Sequence, residues 1–205
     1  MEITIEFLVS KNLIQDDTNA FKRLLHRMWF ALYPRSWRTK GSCAFEHVFL
    51  GTYNYNTYLL TLIPWWDLCN SKCNSGKFSL IFFPTLYIGE VKKGKVSGFH
   101  NWLFFLLEEQ KGDVNYYGFS KGFGFGRGRG GILKTIFEWE GTLKPVSSIF
   151  IGLSPELEMA IYTLAVLLKP DDPLTISLGG KTIDIQTHVF KNHGKKYLGS
   201  AFPDI

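Results

Sequence analysis

A length of 205 residues allows one ordinary domain, or one and a half. Lys and Arg outnumber Asp and Glu by 23 to 18, and the resulting +5 fits an anionic partner without demonstrating one. An apolar fraction of 45% excludes a disordered chain, three cysteines (Cys43, Cys69, Cys73) exclude a disulfide framework, and no apolar run reaches the ~18 residues of a membrane span.

The first predicted element is an amphipathic helix over 18–33. Asp16, Asp17 and Thr18 offer capping oxygens, and Phe21, Leu24, Leu25, Met28 and Leu32 recur at helical spacing. His26 reads as a flank residue of that helix, which Tyr33-Pro34-Arg35 ends. Residues 41–51, with Glu46 and His47, read as a short strand. Residues 89–96 read as strand, Lys-Gly turn and strand. A second helix follows from Trp102 to about Lys111, with Gly112 as its stop.

Residues 118–131 hold seven glycines among 14 positions, interleaved with Phe123, Phe125, Arg127 and Arg129. Such a tract reads as a flexible connector, with RNA binding by charge and stacking as the alternative. Ile132–Trp139 alternates as a strand with Leu133, Thr135, Phe137 and Trp139 on one face, and Val146–Ile151 is another. Ser154-Pro155 opens a helix through Leu157, Ile161, Leu164 and Leu168 that stops before Pro170. Gly179-Gly180 joins strands at 175–178 and 182–189, and Tyr197–Phe202 is the last strand. Helices early and strands late give an α+β class.

The chemistry-bearing groups are weak singly and informative together: Glu46-His47, His100 in Gly-Phe-His-Asn-Trp, Lys144 in Lys-Pro-Val-Ser-Ser, and Ser154-Pro155-Glu156-Leu157-Glu158. Two imidazoles and one ammonium suffice to cleave RNA. One neutral imidazole takes the ribose 2′-OH proton, a protonated one supplies the leaving 5′-oxygen, and the ammonium faces the phosphorane-like charge. An unperturbed pKa near ~6.5 suits imidazole to both roles. The same kit could serve another phosphodiester.

Four segments carry a resemblance. Phe45-Glu46-His47-Val48-Phe49, Gly89-Glu90 together with Val96 to Trp102, Lys144 to Ser148, and Phe150 to Glu156 closely resemble the eukaryotic uridylate-specific endoribonucleases. This is the EndoU or placental-protein-11-like family, to which coronaviral uridylate-specific endoribonucleases are distantly related. The resemblance implies two small antiparallel sheets with flanking helices and Mn²⁺-dependent cleavage of single-stranded, U-containing RNA. The products would carry 2′,3′-cyclic phosphate ends, the result of a lyase. It implies His47, His100 and Lys144 as the catalytic three, with His100 activating the 2′-OH. Glu46 and Glu90 fall at acidic positions that orient the histidines or help hold metal, structural ion pairing being the other reading. Ser148 and Thr187 fall where the family reads uracil. Relatives place an aromatic, usually tyrosine, just after that threonine, where this chain has only His188 and Val189. A monomer with no membrane span is expected. The family is compatible with secretion, although Met1 to Glu6 shows no leader pattern.

Two features depart from the family. His47 and His100 stand 53 positions apart, and removing residues 51–88 would leave 15 and join Glu46-His47-Val48-Phe49-Leu50 to Gly89-Glu90. Residues 52–88 carry nine aromatics, two cysteines and only Asp67, Lys72 and Lys77 as charges, with a tail of the kind pyrimidine-rich codons encode. This atypical insertion reads as a retained in-frame intron, a lineage-specific loop being the alternative. Cys69 and Cys73 within it lack the second pair a zinc site needs. The chain also begins where relatives have a preceding helical region, so a single catalytic domain without its N-terminal helices is expected. The rival class is an inactive fragment or RNA-binding module whose site is split by residues 51–88. A metal-independent ribonuclease is the third possibility.

Overall fold

The computed structural model describes residues 2–34, 43–50, 91–92 and 95–205. The insertion at 51–88, with Cys69 and Cys73, lies outside the described residues, as do Glu90 and the Lys93-Gly94 turn. Four α-helices are described: α1 (Glu2–Ser10), α2 (Thr18–Phe30), α3 (Trp102–Lys111) and α4 (Pro155–Leu168). Local sequence sets their ends. Asp17 caps α2 by accepting from the Asn19 N–H, and α2 stops at Phe30 because Ala31 is already extended. Asn101 caps α3 through the Leu103 and Phe104 N–H groups, and Gly112 closes it in the left-handed region at φ 84°. Ser154 caps α4, with Pro155 in its first turn as expected. None of the described helices is long and apolar enough to cross a membrane.

The described strands form two three-stranded antiparallel sheets and one two-stranded ribbon. The ribbon pairs β1 (Val91–Lys92) with β2 (Lys95–Val96). The first large sheet is ordered β3 (Val114–Gly124), β4 (Gly131–Trp139), β5 (Thr142–Ile151). The second is ordered β6 (Leu174–Leu178), β7 (Lys181–Asn192), β8 (Lys195–Asp204), with Gly179-Gly180 as the expected hairpin turn. The α+β class with two small antiparallel sheets and flanking helices is therefore what the structure has.

One core joins α2, α4 and both large sheets, through residues such as Trp29, Tyr162, Phe150 and Ile185, each fully buried. Burying a side chain of that size stabilises by about 1.5–3 kcal/mol. A second core of Val96, Phe99, Phe104, Val114, Phe137 and Trp139 lies beneath α3. β4 feeds both: Ile132 enters the first, while Phe137 and Trp139 enter the second. Leu133 thus leaves the expected face and is only half-buried.

Two sequence readings are corrected. Residues 46–50 are not a strand but a π-helical turn, Glu46–Leu50. The Glu46 carboxylate accepts from the Cys43 N–H at 2.9 Å, a reciprocal cap that favours helix over extension. Residues 118–131 are not a connector but most of the β3–β4 hairpin. Its glycines serve close approach: a Cβ on Gly130 would meet the Ile151 carbonyl oxygen at 2.1 Å, and one on Gly131 the Phe123 oxygen at 2.5 Å. Phe125 is buried in the first core and pins the turn.

Candidate active site

The site begins with two backbone segments laid against each other. The Phe99 N–H donates to the His47 carbonyl at 3.4 Å and the His100 N–H to the Val48 carbonyl at 3.1 Å. This contact requires glycine at position 98, where φ is +72° and a Cβ would lie 2.4 Å from the His47 carbonyl oxygen. Phe99 also has a positive φ, 65°. Its fully buried ring holds that conformation by packing on Phe104, Phe137 and Trp139, with centroids within 5.0 Å. The π-helical turn and the bent Gly98-Phe99 backbone thus bring His47 and His100 together.

His100 is the best-defined group. Its Nδ1 lies 3.2 Å from the Ser148 carbonyl oxygen and 3.4 Å from Ser147 Oγ. Ser147 Oγ in turn donates to the Phe99 carbonyl at 2.9 Å. A carbonyl oxygen can only accept, so Nδ1 carries the proton and Nε2 the lone pair. The ring stacks on Phe202 of β8 at 4.8 Å and 18°. Burial holds His100 well below the ordinary imidazole range, and the nearby charges of Lys144, His47 and His188 push the same way. A neutral ring with a lone pair on Nε2 is a general base.

Lys144 comes from β5, is 6% exposed, and donates from Nζ to the Val96 carbonyl at 3.3 Å. Burial lowers its pKa to about 8, which leaves the ammonium form dominant at neutral pH. His47, His100 and Lys144 are each nearly enclosed, as groups withheld from bulk water must be to act strongly on a bound charge.

Of the residues expected to read the base, Ser148 is 4% exposed and Thr187 is fully buried, its hydroxyl donating to the Lys169 carbonyl at 3.4 Å. His188 is exposed beside Phe202, with ring centroids 5.9 Å apart, and Val189 is half-buried. Glu46 supports the turn that carries His47 through its bond to the Cys43 N–H. Glu90 lies outside the described residues. Burial and Glu46 push the Cys43 thiol up to about 12, which unsuits it as a nucleophile.

Sequence reasoning missed Phe202, Ser147 and a buried strut behind His100. Asn101 Nδ2 donates to Glu158 Oε1 of α4 at 3.2 Å while Asn101 Oδ1 caps α3, so one side chain ties His100 to two helices. Burial raises the Glu158 pKa to about 9, keeping it a neutral acid at pH 7. The sequence singles out Ser-Pro-Glu-Leu-Glu without giving Glu158 a role, although its spacing places it one turn beyond the Ser154 cap.

Manganese favours a set of carboxylate, imidazole and water ligands. Among the described residues, no group of three or more His, Cys, Asp or Glu side chains converges in a way that could hold an ion.

The family model described as "Endoribonuclease XendoU" matches residues 1–75 and 65–203. The chain is 30% identical over 205 residues to the uridylate-specific endoribonuclease EndoU of Drosophila melanogaster, covering all of this chain and 52% of the relative. It is 32% identical over 204 residues to uridylate-specific endoribonuclease D of Xenopus laevis, covering 98% and 54%. Its fold is similar to a solved structure titled "The structure of XendoU: a splicing independent snoRNA processing endoribonuclease". That match has a TM-score of 0.61 at 27% identity, covering 99% of this chain and 62% of the other. The chain thus spans about half the length of these two curated relatives.

Proposed function

The chain belongs to the Endoribonuclease XendoU family, and on that premise we propose that it cleaves single-stranded RNA at uridylates by two-imidazole, one-lysine chemistry. The observation that carries this reading is the His100 ring, held neutral by burial with Nδ1–H committed to the Ser148 carbonyl. His100 Nε2 takes the proton of the 2′-OH, and O2′ attacks phosphorus. The P–O5′ bond breaks as His47 gives a proton to O5′. The products are a 2′,3′-cyclic phosphate and a 5′-hydroxyl. Lys144 faces the negative charge that grows on the non-bridging oxygens.

The reading of a binding module without chemistry rests on a site split by residues 51–88. Against it stand the backbone bonds from Phe99 and His100 to His47 and Val48, which close the gap between the two histidines. The manganese dependence is what the family resemblance implies, with Glu46 as its described acidic candidate. Uridine preference falls to Ser148, Thr187 and His188, with His188 in the place of the usual stacking aromatic.

The test is incubation of the chain with a single-stranded RNA holding one uridine, in Mn²⁺ and in chelator, with product ends mapped. A cut 3′ of the uridine with a cyclic end, lost in His100→Ala, is expected. Binding without cleavage would overturn the enzyme reading. Equal cleavage in chelator would remove the manganese requirement alone.

A further inference from the structure

The β3–β4 hairpin carries side chains that the cleavage chemistry does not use. β3 is an edge of its sheet among the described residues, and Tyr116, Tyr117 and Phe119 on it are 41%, 55% and 62% exposed. Lys121 on β3 and Arg127 and Arg129 in the turn are exposed, and none of the three forms an ion pair among the described residues. By contrast, Lys134 is paired with Asp204, and the Tyr117 hydroxyl donates to Glu138.

The register places this edge opposite the catalytic strand, level by level. Tyr116 pairs with Phe137 and through it with Lys144. Phe119 pairs with Thr135 and then Ser147, and Lys121 with Lys134 and then Ser148. Adjacent strands lie about 4.8 Å apart, so β3 runs about 10 Å from β5. From Tyr116 to Gly124 it extends about 26 Å, and the turn bearing both arginines continues it. Phe125 and Gly130 fix that turn against the core, which sets the backbone positions from which the arginines project.

We propose that the β3 edge and the β3–β4 turn form an accessory site for single-stranded RNA flanking the scissile uridylate. Bases stack on Phe119 and Tyr116, and phosphates sit on Lys121, Arg127 and Arg129. The proposal rests on the endoribonuclease reading for its substrate. Charge selects this occupant: an apolar protein partner would desolvate three cations without pairing them. An added β-strand is disfavoured because the β3 ladder is broken by register shifts at Tyr116/Gly118 and Phe119/Lys121 and carries a lysine. Aromatics along β3 followed by cations from Lys121 into the turn supply the stacking faces and the charges that a sequence-tolerant single-strand track combines.

The experiment has two arms, both on the full chain. In the first, fluorescence anisotropy follows binding of a labelled oligonucleotide whose only uridine is 2′-deoxy and cannot be cleaved. Phe119→Ser weakens binding about tenfold, and Phe119→Tyr restores it. The joint variant Lys121→Gln, Arg127→Gln, Arg129→Gln lowers the slope of log affinity against log salt by about 2. In the second arm, cleavage of a uridine dinucleotide too short to reach β3 is unchanged by these substitutions. Unaltered affinity and salt slope would overturn the proposal, as would an equal loss on dinucleotide and oligonucleotide. If the unsubstituted chain binds the oligonucleotide but cuts nothing, the endoribonuclease reading fails while affinity and slope still decide the accessory site. Failure of the unsubstituted chain to bind RNA would overturn both.

Discussion

The two three-stranded sheets have the same strand number and antiparallel pairing, yet they treat polar side chains in opposite ways. The β3–β4–β5 sheet buries Thr135, Lys144, Ser147 and Ser148; the first three donate from their side chains to backbone carbonyls, and Ser148 offers its own carbonyl to His100. The β6–β7–β8 sheet buries Ile183, Ile185, Leu198 and Ala201, and Thr187 is its one buried polar residue among those described. Its contribution to the site is a wall: the Phe202 ring against His100, with His188 exposed beside it. A sheet that holds reacting groups accepts the cost of burying polar atoms because hydrogen bonds to neighbouring carbonyls satisfy them. A sheet that bounds the site and meets substrate at its surface can keep an apolar interior.

That contrast predicts a hierarchy of effects. His100→Ala should be largest, lowering the cleavage rate by about 10²–10⁴ while retaining RNA affinity in anisotropy. A comparable loss of affinity would show that the residue binds rather than reacts. Lys144→Met should follow, at about 10²–10³ in kcat with KM little changed. Loss only in KM would move Lys144 from the transition state to ground-state binding.

The pH profile sharpens the same division. A lowered His100 pKa means the base stays neutral as pH falls through ~6.5, so the acid limb of kcat/KM should lie below that value. Lys144 loses its proton near 8, so activity should decline as pH rises beyond it. An acid limb at the ordinary imidazole position would contradict the enclosed geometry. Substitutions on the second sheet should be milder. Phe202→Ala removes a stacked ring worth about 0.5–1.5 kcal/mol, and thermal unfolding should shift accordingly while kcat falls by about tenfold or less. His188→Tyr should be smallest and opposite in sign, tightening uridylate binding a few-fold by restoring a stacking face. No change in a uridylate titration would mean that β7 does not contact the base.

What the sequence revealed follows from how local each signal is. Asp17, Ser154-Pro155, Gly112 and Gly179-Gly180 act within a few residues, and each ends or starts an element where expected. The π-helical turn was misread because His47-Val48-Phe49 has strand-like side chains, and its cap comes from Cys43 and Glu46 at its edge. The glycine tract was misread because composition records freedom in the unfolded chain. The contacts of Gly130 with Ile151 and of Gly179 with Phe125 exist only in the fold. Within the site, residue types identified His47, His100 and Lys144, but no spacing rule points to Phe202, a full 102 positions from His100. Tertiary stacking of that kind leaves no periodic trace.

The central claim is that the first sheet supplies Lys144 and holds His100 through the Ser148 carbonyl, while the second sheet bounds the site. The most direct measurement is single-turnover cleavage of a one-uridine RNA by the chain, with His100→Ala and Phe202→Ala in parallel. A cut 3′ of the uridine ending in a cyclic phosphate, slowed at least about 100-fold by His100→Ala and about tenfold or less by Phe202→Ala, is the expected result. A rate that His100→Ala leaves unchanged, or that falls further in a folded Phe202→Ala variant than in His100→Ala, would contradict it.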